Sequence, residues 1–113
     1  MDVAFWNREI ETMDRRRLTE LQVTRLRDTL DQALHTPFYR RRLEKAGLQS
    51  GGDLRGLEDL RTLPFTTKDD LRQSFPFGLL AVDFSEVVRL HSSSGTTGVP
   101  TVIYLTQDDL DHW

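Results

Sequence analysis

Leu18, Leu21, Leu26, Leu30 and Leu34 recur at steps of three to five residues, with Ala33 beside them and dense Arg and Asp between. Such spacing lays one apolar stripe along a helix and leaves the other face to water, so it predicts an amphipathic helix over Asp14–Leu34. Pro37 cannot continue that helix and pushes Thr36 toward an extended conformation. A shorter helix is expected over Phe38–Ala46, stopped at Gly47. Ser50-Gly51-Gly52 reads as a turn, with Asp53 placed to cap the short stretch after it. Leu54, Leu57, Leu60 and Leu63 then repeat every three residues, which suits short helical or 3₁₀ pieces packed on one side. Thr67-x-x-Asp70 has capping-box form, with Asp in place of Glu or Gln, and predicts a helix over Lys68–Ser74. Thr106-x-x-Asp109 repeats the device near the C-terminus.

From Pro76 onward the pattern changes. Asp83–Leu90 and Thr101–Leu105 are rich in β-branched and aromatic residues and read as strands. The second is apolar at consecutive positions, Val102 to Leu105, which predicts burial on both faces, as in the middle of an α/β sheet. The expected fold class is α/β: a helical region over residues 1–75, then a strand–loop–strand unit and the start of a helix over 76–113. Two strands do not complete such a sheet, and an isolated hairpin with open edges invites pairing with another chain.

Between the strands, Ser92 to Gly98 packs three serines, two threonines and two glycines into seven positions. Glycine lets backbone N–H groups approach a ligand closely, hydroxyls add donors without bulk, and consecutive amides can form an anion nest. The combination reads as a loop that wraps phosphate oxygens. The alternative is an ordinary hairpin connection, for which Ser, Thr and Gly are also the usual residues. A Walker A loop is excluded, because no Lys follows the second glycine and a strand rather than a helix comes next; G-x-G-x-x-G is absent as well.

Composition narrows the function classes. The chain has 113 residues, enough for one small domain, with 29% charged and 37% hydrophobic residues. A net charge of −3 argues against nucleic acid or a membrane surface as partner. There is no cysteine, hence no disulfide framework and no thiolate metal site. The first residues lack an apolar run of signal-peptide length, and no run reaches the roughly 20 apolar residues of a membrane helix, so the cytoplasm is the expected compartment.

Three blocks taken in order carry a resemblance. They are Thr36-Pro37-Phe38-Tyr39-Arg40, the run Leu63-Pro64-Phe65-Thr66-Thr67-Lys68-Asp69-Asp70-Leu71-Arg72, and Val88-Arg89-Leu90-His91 followed by Ser92-Ser93-Ser94-Gly95-Thr96-Thr97-Gly98. With them the chain resembles, over nearly all its length, the amino-terminal part of the phenylacetate–coenzyme A ligase family within the adenylate-forming enzymes. That resemblance implies an AMP-forming aryl-CoA ligase using ATP, Mg²⁺ and coenzyme A on an aromatic carboxylic acid. It implies Ser93, Ser94, Gly95, Thr96, Thr97 and Gly98 as the phosphate-binding residues, with Ser92 at their edge, and leaves the catalytic residues unknown. Its later parts would hold the adenine pocket, the metal-binding acid and a catalytic lysine. Lys45 and Lys68, the only lysines here, both precede the loop. The expectation is therefore a fragment, an incomplete N-domain that is inactive alone; a homodimer is the assembly left open. Members of that family commonly carry a lysine beside the loop's proline, and here those places hold Val99 and Thr101.

A reading from a different class stands beside this one: a non-catalytic helical interaction module in which the loop only connects. His91 either orients the loop or contacts substrate, or else packs beside its strand. The acidic run Asp108, Asp109 and Asp111 suits a helix start better than a magnesium site. The triplets Arg15–Arg17 and Arg40–Arg42 are expected to pair with helical carboxylates. Phe5 and Trp6 are expected to dock on the body or on a partner subunit.

Overall fold

A computed structural model describes residues 4–93 and 98–113. Five α-helices and one hairpin lie among these residues: α1 (Arg8–Glu11), α2 (Arg15–Ala33), α3 (Pro37–Lys45), α4 (Lys68–Gln73), β1 (Val87–Ser93), β2 (Thr101–Thr106) and α5 (Gln107–His112). Short 3₁₀ pieces occupy Gly51–Asp53, Leu57–Thr62 and Phe84–Glu86.

The helical half is built from its caps. Asp14 accepts the Arg17 N–H at 3.0 Å and starts α2. Thr36 is fully buried and joins two helices: its hydroxyl donates to Ala33 O at 2.8 Å and accepts the Tyr39 N–H at 3.2 Å. Pro37 then takes the first position of α3, where its missing N–H costs nothing. At the other end Gly47 adopts φ +87°, and Leu48 N–H reaches back to Leu43 O at 2.9 Å. This reversal brings Leu48 and Leu43 together, and with Leu30 and Leu54 they form the buried core.

Two close contacts fix the turn after α3 against α2. Gly51 donates its N–H to the Asp31 carboxylate at 2.6 Å, and Arg27 Nε donates to Leu54 O at 2.9 Å. Arg42 secures the next segment, meeting Asp70 at 2.8 Å, donating to Phe65 O at 3.3 Å and lying 4.1 Å from the Phe38 ring. A single bond of 2.9 Å from Gln32 Nε2 to Ala81 O reaches from α2 into the second half.

Several expectations are corrected. The first strand starts at Val87 rather than Asp83. Asp83 accepts both the Ser85 N–H and hydroxyl, Glu86 takes the Asp83 N–H, and that capping box closes a 3₁₀ turn instead. Asp53 caps backward, accepting the Gln49 and Ser50 N–H groups, because it sits third in a turn started by Ser50. Trp6 is 96% exposed and does not dock on the body. β2 is not buried on both faces, since Ile103 is 52% exposed. The helices over 15–33, 37–45 and 68–73, and the second strand, lie within a residue or two of their expected bounds.

Among the described residues four apolar side chains are buried, Leu54 completely, and the radius of gyration is 16.7 Å. A compact chain of this length would have a radius of about 13 Å. Among the described residues no helix is long and apolar enough to cross a membrane.

Candidate functional site: the hairpin and its loop

β1 and β2 pair antiparallel, with Leu90 opposite Tyr104, His91 opposite Ile103, Ser92 opposite Val102 and Ser93 opposite Thr101. The ladder therefore ends at Ser93 and Thr101. Of the six expected phosphate contacts, Ser93 and Gly98 are described; Ser94, Gly95, Thr96 and Thr97 lie outside the described residues. Ser93 closes β1 with its side chain exposed. Gly98 has φ +83°, a left-handed conformation that side chains disfavour, with nothing within 4 Å of where a Cβ would stand. Val99 is exposed beside it and Pro100 half-buried.

Thr101 holds the feature that sequence reasoning missed. The residue is only 9% exposed, and its hydroxyl has no hydrogen-bond partner among the described residues. A buried hydroxyl without a partner is costly, so one at the foot of a loop points to a partner supplied from the loop side. The β-branched run marked Thr101 as a strand residue, and nothing in it shows the side chain turning inward.

His91 lies against Trp113, ring centroids 5.3 Å apart at 54°, which agrees with packing beside the strand. No signal in the sequence links residues so far apart. On the other side Phe77, Phe84 and Tyr104 form an aromatic cluster with centroids 5.5–6.1 Å apart. Below it a groove of about 740 Å³ runs between the end of α2, α4 and β2, with Glu86, Asp108 and Asp109 on its rim. Those carboxylates make the groove a poor place for an anion.

The perturbed carboxylates lie elsewhere. Asp70 is held below its ordinary range by the Thr67 N–H and hydroxyl and then by Arg42. The Gln49 and Ser50 N–H groups lower Asp53, and Ser85, through its hydroxyl and then its N–H, lowers Asp83. All three occupy caps, so their shifts report local folding rather than acid–base chemistry. Asp109 likewise closes the capping box of α5 with Thr106. Among the described residues no group of three or more His, Cys, Asp or Glu could hold a metal.

No family model matches the chain. Among curated proteins, phenylacetate–coenzyme A ligase of Thermus thermophilus is 52% identical over 103 residues, and that of Escherichia coli K12 is 50% identical over 105. These matches cover 90% and 92% of this chain but 23% and 24% of the relatives, so the chain spans about a quarter of their length. Among solved structures, 2-hydroxyisobutyryl-CoA ligase in its postadenylation state is 35% identical with a TM-score of 0.79, covering 96% of this chain and 23% of that one. The same ligase in its thioesterification state is 38% identical with a TM-score of 0.80, covering 93% of this chain and 23% of that one. Across nine-tenths of its length the chain is similar in sequence to the amino-terminal region of phenylacetate–coenzyme A ligases and in fold to that of 2-hydroxyisobutyryl-CoA ligase.

Proposed function

We propose that the chain is the amino-terminal part of an AMP-binding domain, and that it supplies the ATP-phosphate loop of a ligase joining phenylacetate, or a related aromatic acid, to coenzyme A. The observation that carries this is the end of the hairpin: the ladder stops at Ser93 and Thr101, and Gly98 beyond it takes a positive φ that glycine adopts without strain. The relatives' names give the reaction class, and the solved neighbours hold an acyl adenylate and coenzyme A.

In such a reaction a carboxylate attacks the α-phosphate of ATP, pyrophosphate departs, and the thiol of coenzyme A then displaces AMP to give a thioester. The task of Ser93, Ser94, Gly95, Thr96, Thr97 and Gly98 is to hold the β- and γ-phosphates while charge builds on the leaving group. Each charge-assisted hydrogen bond contributes about 1.5–3 kcal/mol, so several together retain the polyphosphate. The unpartnered Thr101 hydroxyl fits an additional donor at the foot of the loop. With no donor cluster of its own among the described residues, the chain would meet Mg²⁺ as MgATP, where the ion neutralises phosphate charge. The residues that bind the acid and complete catalysis lie in the portion of the relatives that this chain does not span, so the chain by itself is inactive. The cytoplasm, where ATP and coenzyme A are supplied, is the compartment this reading assigns.

The test is a chimera in which this chain replaces the corresponding first quarter of the Escherichia coli relative. Phenylacetate-dependent AMP release is the expected activity, and the double change Gly95→Ala, Thr96→Ala should lower it about a hundredfold. The proposal fails if a folded chimera releases no AMP, or if the double variant matches its parent.

A further inference from the structure

Thr101 breaks a pattern that the other described threonines keep. Each of them has a hydrogen bond on its hydroxyl: to a carbonyl three or four residues back, to the Tyr39 hydroxyl, or to the aspartate of its own capping box. A threonine in a strand has no carbonyl of its own turn within reach. Thr101 is 9% exposed, and its Oγ1 meets no partner among the described residues. The other such atom among them, Arg72 Nε, belongs to a guanidinium that Asp69 holds through a second nitrogen. At Thr101 nothing holds the polar group at all, although valine would fill the same space without burying one.

The register places this hydroxyl. Thr101 stands opposite Ser93 at the end of the ladder, so the two side chains share a face, with Cβ atoms about 4.5–5.5 Å apart. Two hydroxyls at that spacing can reach one anion, and a hydroxyl donating to a charged oxygen bonds more strongly than to a neutral one. Neither strand carries an acidic residue. Asp108 and Asp109 lie past the far end of β2, roughly 16 Å from Thr101 at about 3.3 Å per residue.

We propose that the Thr101 hydroxyl stays unpaired in the free protein and donates to a β- or γ-phosphate oxygen of the bound nucleotide, so that Thr101 destabilises the free protein and stabilises its complex. This rests on the ligase reading and deepens it, adding to the loop one donor that is fixed on a strand beside Ser93. The ladder already orders that position, so little freedom is lost when the donor finds its partner.

The chimera with the Escherichia coli relative carries the test. Thr101→Val keeps the shape of the side chain and removes the hydroxyl; Thr101→Ser keeps the hydroxyl. Without nucleotide, the thermal midpoint of Thr101→Val should be no lower than that of its parent and up to about 2 °C higher. Its affinity for MgATP in calorimetry should fall about tenfold, while affinity for AMP, which lacks both outer phosphates, stays within about twofold. Thr101→Ser should bind MgATP within about twofold of the parent. A lowered midpoint in nucleotide-free Thr101→Val would mean that the hydroxyl already has a protein partner, and would overturn the proposal. Unchanged MgATP affinity, an equal loss for AMP, or no rescue by Thr101→Ser would overturn it as well. If the parent chimera releases AMP and Thr101→Val binds MgATP as tightly as the parent, this inference alone fails. If a folded parent releases no AMP, the ligase reading fails and this inference falls with it.

Discussion

Leu54→Ala probes how little core this chain has. Leu54 is 0% exposed and packs in a cluster whose other buried members are Leu30, Leu43 and Leu48. Truncating a buried leucine costs about 2.7–5 kcal/mol, the low end where neighbours collapse into the space. Here the rim of the cluster is partly open, formed by Leu26, Leu34 and Leu63, so collapse is available and about 3 kcal/mol is expected. A radius of 16.7 Å and a core of four leucines place the parent near the lower bound of stability, about 0.05 kcal/mol per residue, or roughly 6 kcal/mol in all. The substitution should therefore remove about half of the stability and halve the urea midpoint, followed by circular dichroism at unchanged slope. Leu60→Ala, at a position 45% exposed, should cost under about 1 kcal/mol. If the two variants shifted the midpoint equally, the four leucines would not be the core and the account of the helical half would be wrong.

Gly51→Ala should destabilise by more than about 2 kcal/mol in the same assay, because a Cβ there would overlap the Arg27 carbonyl of α2, and neither backbone can retreat without breaking the bond from Gly51 to Asp31. Stability should fall in acid: Asp53, Asp70 and Asp83 have folded pKa values below the ordinary 3.8, so their contribution is present above about pH 4 and is lost as pH falls through the lowered values. Asp70→Asn should flatten that acid limb in a pH series of thermal melts, and Thr67→Ala should cost about 1 kcal/mol at neutral pH through loss of the cap. Val99→Lys, which restores a cation beside the loop, should tighten MgATP binding in the chimera about tenfold in calorimetry; unchanged affinity would show that another residue already supplies the charge.

Local chemistry was legible in the residues themselves. Thr67 and Asp70, Thr106 and Asp109, Thr36 before Pro37, and Gly47 after α3 all act where their types and spacing imply, since a cap depends on neighbours within four positions. The likeness to phenylacetate–coenzyme A ligases was legible too, because Ser92–Gly98 and Leu63–Arg72 are runs whose order is itself informative. Asp83 and Asp53 mark the limit of that reading. Asp83 was read as the start of a strand and Asp53 as the cap of the stretch after it, and in both cases the turn in which the residue stood fixed its partners.

What the sequence by itself determined, then, is most of the elements and the likeness to the ligases. The tertiary structure alone decided which contacts join distant residues: Arg42 to Asp70, Gln32 to Ala81, His91 against Trp113, and the inward turn of the Thr101 hydroxyl. It also decided that α4 and α5 pack against β2. Capping and periodicity act within a turn or two of the chain, and so are written in local order. Burial and edge exposure depend on which surfaces meet after folding, and no short stretch of residues contains that information.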